Sequence, residues 1–433
     1  MIAIAGLAVL GTASPAQRSP EPAPRQPPTM VGSVVTVRGP IHPDSLGITL
    51  MHEHLASNML VPDVPTGYPG HGPLTPAFIR RFQETGRYFR VPRTPEQLAF
   101  WDAPDLDRPM LDRMSQGWLT RSQFVLDDDA ATLADLAAFR AGGGGGAVVD
   151  VTTVGIGRKP AVIRALSERS GVPVVMGTGW YRWMFHPPEV ARRSVDQLAA
   201  TMVAEIATGV GGIRAGIIGE IPLDAAGLRL REPAGAVVPD STIVRRRQEV
   251  QDRIRNGTAT VEGIYDAEEI KVLRAAARAS RRSGAAVTLH APDPWIDYLD
   301  LIAAEGADLA RVIVGHADLV LLDDALARRA LGRGVTLQID YQLQNYGGRD
   351  IGPFDALLDR VAWAVRAGYG SQILVSLDLC FRQGLAKYGG GGYATLFERI
   401  IPGLERRGLS AAEIRTILVE TPKRLLTIVP PKP

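Results

Sequence analysis

Ile48-Thr49-Leu50-Met51-His52-Glu53-His54 is the stretch that decides the fold. Its first half is apolar and β-branched, and it ends in polar residues that carry chemistry. Seven later runs share the design: Ala147 to Val151, Pro173 to Gly177, Ala215 to Glu220, Ala286 to His290, Arg311 to Gly315, Val335 to Asp340 and Gln372 to Asp378. Near-continuous apolar strands imply a sheet buried on both faces, hence parallel strands with covering helices. Helical spacing fills the gaps. Asp127 to Arg140 places Leu133, Leu136 and Ala137 on one side, Ser194 to Ala207 starts on a Ser cap, and Ala267 to Ser283 aligns Ile270, Leu273 and Ala277. Eight strands with such crossovers predict an α/β fold of the (β/α)8 TIM-barrel kind.

In a strand, residues two apart point the same way, so His52 and His54 face one side and Glu53 the other. Glu220, His290, His316 and Asp378 end other strands. In a (β/α)8 barrel the strand ends share one rim, so these six residues converge there. A set of four imidazoles and two carboxylates points to Zn, with Mn, Co or Fe as alternatives, rather than Ca. An acid placed between two cations about 4 Å apart is a two-metal hydrolytic design. The expected cofactor is therefore two divalent metal ions per chain.

Composition narrows the class. The chain has 433 residues, 45% hydrophobic and 22% charged, with a formal net charge of +2. That balance gives no reason to expect nucleic acid as a partner, and after the leader no apolar run is long enough to span a bilayer. The single cysteine, Cys380, excludes an intramolecular disulfide and a thiolate zinc cluster. Residues 1–30 read as a signal peptide followed by a Pro-rich linker, although the positive n-region is missing. Export to the periplasm or medium is expected, against a cytoplasmic location if that segment is not a functional signal. Residues 31–433 form one hydrolase domain. Segments 61–124 and 228–263 do not fit the strand–helix repeat and read as insertions on the C-terminal rim, or else as packing or homodimer contacts.

The sequence resembles the phosphotriesterase family of the amidohydrolase superfamily. The motifs that carry this are Met51-His52-Glu53-His54-Leu55, Gly212-Ile213-Arg214-Ala215-Gly216-Ile217-Ile218, Gly315-His316-Ala317-Asp318 and Ser376-Leu377-Asp378. Arg193-Ser194-Val195-Asp196-Gln197-Leu198, Gly219-Glu220-Ile221 and Gly389-Gly390-Gly391-Gly392-Tyr393 are similar to the bacterial phosphotriesterase homology proteins. The resemblance implies that His52, His54 and Asp378 hold a buried metal, His290 and His316 a more exposed one, and that a carboxylate bridges them. Better-known members bridge with a carboxylated lysine directly after Gly-Ile-Ile. Gly219 stands at that place and Glu220 comes next. A one-residue step reverses a strand side chain, so Glu220 needs a local bulge or a different register to serve.

The reaction expected is hydrolysis of a small-molecule ester (carboxylic ester, lactone or phosphotriester) by a metal-bridging hydroxide, with Asp378 as proton acceptor. An amidohydrolase acting on an N-acyl substrate is the alternative, and a metal-binding barrel without turnover the reading from another class. Trp180, Tyr181, Tyr341 and Arg382 are the candidate substrate contacts; Tyr346 and Phe381 have the same standing. Asp318 is a candidate to orient a metal ligand.

Overall fold

The computed structural model describes residues 30–59, 120–223, 252–340 and 354–432, with positions 96, 99, 249, 345, 346, 349 and 350. Tyr341, the segment 1–29 and most of the segments 61–124 and 228–263 lie outside the described residues.

Eight strands form the central sheet: β1 (Ile48–Glu53), β2 (Gly145–Asp150), β3 (Val174–Thr178), β4 (Ile217–Pro222), β5 (Val287–His290), β6 (Val312–Gly315), β7 (Thr336–Ile339) and β8 (Ile373–Val375). They are ordered sequentially, and each ladder is parallel. Helices α1 (Asp129–Ala141), α2 (Pro160–Ser170), α3 (Val195–Ala207), α4 (Ala267–Ser283), α5 (Tyr298–Ala304), α6 (Asp324–Gly332) and α7 (Phe354–Ala364) connect them. This is a (β/α)8 barrel. Its helix starts obey local chemistry: Ser194 and Gln197 form a reciprocal capping box at α3, and Asp266 caps α4.

Strand alternation builds two apolar layers. Met51, Ala147, Val149, Val175, Ile217, Ile313 and Leu374 pack together in one buried cluster. Their neighbours Leu50, Val148, Val174, Ile218, Val312 and Ile373 pack in a larger one with helix residues such as Leu136, Ile163, Leu198, Leu273 and Leu357. Inward and outward residues of a barrel strand separate in this way. The hairpin Val34–Thr36 with Gly39–Ile41 contributes Val34 to the first cluster, and Val37 N donates to Val174 O at 2.9 Å. At the other end, Ser57–Asn58 pairs antiparallel with Val125–Leu126. The two ends of the 61–124 segment therefore stand side by side beyond β1.

Both critical strands break alternation where the site begins. On β1, Leu50 pairs with Val148 and Glu53 with Asp150: three residues of β1 span two of β2. On β4, Ile218 pairs with Val287 and Ile221 with Leu289, again three against two. Each is a bulge of one extra residue, which reverses the face of every later residue on that strand. The bulge on β4 answers the register question and turns Glu220 into the barrel. Gly219 makes it sterically feasible: its φ is +124°, and a Cβ there would lie 2.2 Å from Thr288 O.

Candidate metal centre

Glu220 is buried among four imidazoles. Its Oε2 lies 2.9 Å from His290 Nδ1, 3.3 Å from His52 Nε2 and 3.6 Å from His316 Nε2, and its Oε1 lies 3.4 Å from His54 Nε2. Asp378 Oδ1 stands 3.4 Å from His54 Nε2 and 3.8 Å from His52 Nε2. The six strand-end residues thus meet in one place. His52–His54–Glu220 and Glu220–His290–His316 each form a compact group able to hold a metal ion, and Glu220 belongs to both. Two buried imidazole nitrogens in this nest, His52 Nε2 and His54 Nε2, have no hydrogen bond among the described residues. Buried polar atoms ordinarily find partners. Orphaned imidazole nitrogens beside carboxylates are the donor chemistry of a divalent transition-metal site.

Electrostatics agree. Burial would push the His54 imidazole down, but the nearby Asp378 carboxylate and the charges of Glu220 and Asp150 hold it up at about 9. Burial works against His52 and His316 too, yet both are raised, chiefly by the Asp340 charge with help from Glu220. Burial would raise Glu220, but the surrounding imidazoles, His290 first, hold it well below the carboxylate range. In the metal-free protein these shifts favour protonated imidazoles beside ionised acids.

A surrounding shell orients the ligands. Asp340 Oδ1 accepts from His316 N at 3.2 Å and lies 2.8 Å from His316 Nδ1, while its Oδ2 stands 3.3 Å from His52 Nδ1. Sequence reasoning missed this role and looked to Asp318, which opens the helical turn Asp318–Leu322. The signal was present: Asp340 ends its strand run as the ligands end theirs. Thr152 Oγ1 lies 2.9 Å from His54 Nδ1, and the Tyr393 hydroxyl donates to His54 O at 3.2 Å. The glycine run before Tyr393 is required by packing, since a Cβ on Gly390 would sit 2.0 Å from Gly384 O.

The substrate candidates fall into different settings. The Tyr181 hydroxyl lies 3.2 Å from His290 Nδ1 and its ring meets that imidazole edge-on. Burial, first, and the Glu220 charge hold its phenol well above the usual range. Its loop is braced by His186, whose Nε2 donates to Tyr181 O at 2.6 Å and whose Nδ1 is 3.1 Å from Glu268. Trp180 packs in the outer apolar cluster. Arg382 donates to Val125 O and pairs with Asp127, clamping the loop after β8 against the outgoing end of the 61–124 segment. Phe381 meets Phe124 edge-on at 5.4 Å. Tyr346 lies in a two-residue ladder with Arg349. Burial keeps the Cys380 thiol protonated far above its ordinary range, with Asp378 and Glu220 adding to the effect.

Known proteins resemble this chain over most of its length. An N-acetyltaurine hydrolase of Tetraodon nigroviridis is 27% identical over 420 residues, 92% of this chain and 98% of its own. The fold matches the phosphotriesterase homology protein from Escherichia coli, crystallised with phosphate in its active site, at 24% identity and a TM-score of 0.59, covering 88% of this chain and 99% of that one. It also matches a lactonase from Listeria monocytogenes at 19% identity and a TM-score of 0.63, covering 92% and 100%. The family's sequence profile spans residues 32–233 and 249–426, both halves of the barrel and all six converging residues. The chain belongs to the phosphotriesterase family, and it is a hydrolase of that family.

Proposed function

We propose that the protein is a binuclear metal-dependent hydrolase that cleaves a carboxylic ester or lactone. The observation that carries this is Glu220, one carboxylate within 3.6 Å of four imidazole nitrogens. His52, His54 and Asp378 would hold one cation, His290 and His316 the other, with Glu220 between them and zinc the metal of choice. When bound, the two cations supply Lewis acidity, lowering the pKa of a water and polarising the oxygen of the scissile group.

The chain's own residues do the rest. Asp378 takes the proton of the attacking water and returns it to the leaving group. Asp340 and Thr152 keep the rings of His316 and His52, and of His54, in fixed orientations, so little reorganisation accompanies the reaction. The Tyr181 hydroxyl, 3.2 Å from His290 Nδ1, would be placed to meet the substrate oxygen. Trp180, Tyr341 and Arg382 belong to the loops that shape the pocket.

A second reading has its own support. The full-length relative from Tetraodon nigroviridis is named for hydrolysis of N-acetyltaurine, an amide, and the same constellation attacks an amide carbonyl as readily placed as an ester. Both readings put a carbonyl carbon at the site. Two measurements test them: elemental analysis after loading with excess zinc, expected to plateau at two ions per chain, and turnover of carboxylic esters, lactones, N-acetyltaurine and phosphotriesters with zinc, manganese and cobalt. A plateau at one ion refutes the binuclear site. Turnover of the amide alone replaces the ester assignment with the second reading.

A further inference from the structure

Glu53 stands between two ligand histidines yet faces away from the metal centre. It is fully buried, and hydrolysis at the metal centre leaves it without a task. Its contacts reveal one. Oε1 accepts from the Ser376 hydroxyl at 2.7 Å and from Leu377 N at 2.9 Å, and Oε2 accepts from Leu379 N at 2.9 Å. Those backbone donors flank Asp378 on both sides. Asp378 N itself donates to His52 O at 3.0 Å, and the Ser376 hydroxyl accepts from His52 N at 3.0 Å.

This is also where the barrel closes. β8 pairs with β7 and β1 with β2, and among the described residues no ladder joins β8 to β1. The seam is sewn instead by Glu53, Ser376 and the His52 backbone. Just there Asp378 adopts φ +48°, a left-handed conformation that a residue with a Cβ rarely takes unless its surroundings impose it. One carboxylate gripping the N–H groups before and after it is such a constraint. If the chain relaxed to extended backbone at this point, the Asp378 carboxylate would swing away from His52 and His54.

We propose that Glu53 is a positioning residue: it locks the turn that presents the Asp378 carboxylate to the metal centre. This rests on the role given to Asp378 in the proposed hydrolysis. Glutamate is needed rather than glutamine because all three of its partners donate. In Glu53→Gln one oxygen becomes an amide N–H₂ facing a backbone N–H, so the clamp opens on one side at almost constant volume.

The test uses the full chain, stripped of metal and reloaded with Co2+, in four forms: wild type, Glu53→Gln, Asp378→Asn and the double variant. Glu53→Asp, too short to reach both backbone donors, is the second probe should glutamine prevent folding. The first readouts are bound cobalt and its visible absorption, then turnover of 4-nitrophenyl acetate or N-acetyltaurine. Glu53→Gln is expected to keep its cobalt but shift the absorption bands toward those of Asp378→Asn. Its kcat should fall by about 10- to 100-fold with KM changed by less than about threefold, the scale of a displaced catalytic group. Because Glu53 acts through Asp378, the double variant should be no slower than Asp378→Asn alone. A lower melting temperature with wild-type cobalt bands and kcat would make Glu53 a plain structural residue and overturn the proposal. So would losses that multiply in the double variant. If instead Asp378→Asn leaves bands and kcat unchanged, the reading of Asp378 fails first, and that outcome is separate from a failure of Glu53.

Discussion

Stripping the metal should make stability depend on pH in a direction set by His54. In the metal-free fold its imidazole titrates at about 9, against an ordinary value of 6.5, because the Asp378 and Glu220 carboxylates outweigh the cost of burial. A group whose folded value is raised stabilises the fold fully below its unfolded value and loses that contribution as pH rises through the folded one. The window therefore runs from pH 6.5 to 9. The gap corresponds to roughly 3 kcal/mol for this single imidazole, and His52 and His316, also raised, act in the same direction. The assay is urea unfolding of chelator-treated protein at several pH values across that window, for wild type and for His54→Asn. Wild type should lose several kcal/mol over the window, and the variant should lose about 3 kcal/mol less over the same span. Metal-loaded protein should behave oppositely. Its ligands must be neutral imidazoles, so cation binding expels protons and its stabilisation grows with pH. Parallel decline of the metal-free wild type and His54→Asn would show that the imidazole carries no extra proton. The picture of a site whose acids call for positive charge would then be wrong.

The same geometry sets three further outcomes. Glu220→Gln should lose metal and activity together, since a neutral amide bridges two cations poorly; elemental analysis and turnover at matched metal would reveal a different bridge if both persisted. Asp340→Asn removes the charge beside His316 Nδ1 and His52 Nδ1, and metal affinity should fall by about 10- to 100-fold in competition with a chelator; an unchanged affinity would make Asp340 a bystander. Asp378→Asn should keep at least one metal, because the amide oxygen still coordinates, while kcat drops by roughly 100- to 10,000-fold with little change in KM. A loss below about threefold with metal retained would refute the proton-acceptor role.

The sequence displayed the barrel because each strand combined an apolar run with a polar end, and the strands lie within a few residues of where those runs were read. The six candidate ligands were legible for the same reason: chemistry at a strand terminus is a positional signal that survives without knowledge of the loops. Glu220 exposed the limit. Strict alternation turns it outward, and the β4 bulge that turns it inward leaves only Gly219 as a trace. Asp340 was overlooked because an aspartate after Gln338-Ile339 resembles an ordinary strand exit until the partners from β1 and β6 are in place. Arg382 shows a different limit. A cation just after β8 reads as a substrate contact; its pairing with Asp127, 255 residues away, is a contact that sequence spacing does not carry.

The rim of this barrel concentrates buried acid beyond what a fold requires. Glu53, Asp150, Glu220, Asp340 and Asp378 are all buried within one neighbourhood. Two of them are each held by a pair of backbone N–H groups: Glu53 by Leu377 N and Leu379 N, and Asp150 by Leu55 N at 2.8 Å and Thr152 N at 3.0 Å. Those bonds lock the ends of β1, β2 and β8, while burial, the larger effect, raises both acids, Glu53 to about 7. The other three face imidazoles, and hydrogen bonds alone do not balance their charge. Unpaired buried charge is costly, so the fold must import compensation. In the metal-free chain the surrounding acids raise His52, His54 and His316, and protons on these rings would bring about three positive charges if each were fully protonated. Two divalent cations would bring about four. The two loadings are electrostatically similar, so a site shaped for metal can hold its geometry without it at neutral pH, and that reserve fails as the imidazoles deprotonate. Release of protons on cation binding at about pH 7.5, measured in buffers of different ionisation enthalpy, should therefore exceed about two per chain once His52, His54 and His316 are all displaced. Release of fewer than about one would mean that the acids are neutralised in another way, and this charge balance would fall with it.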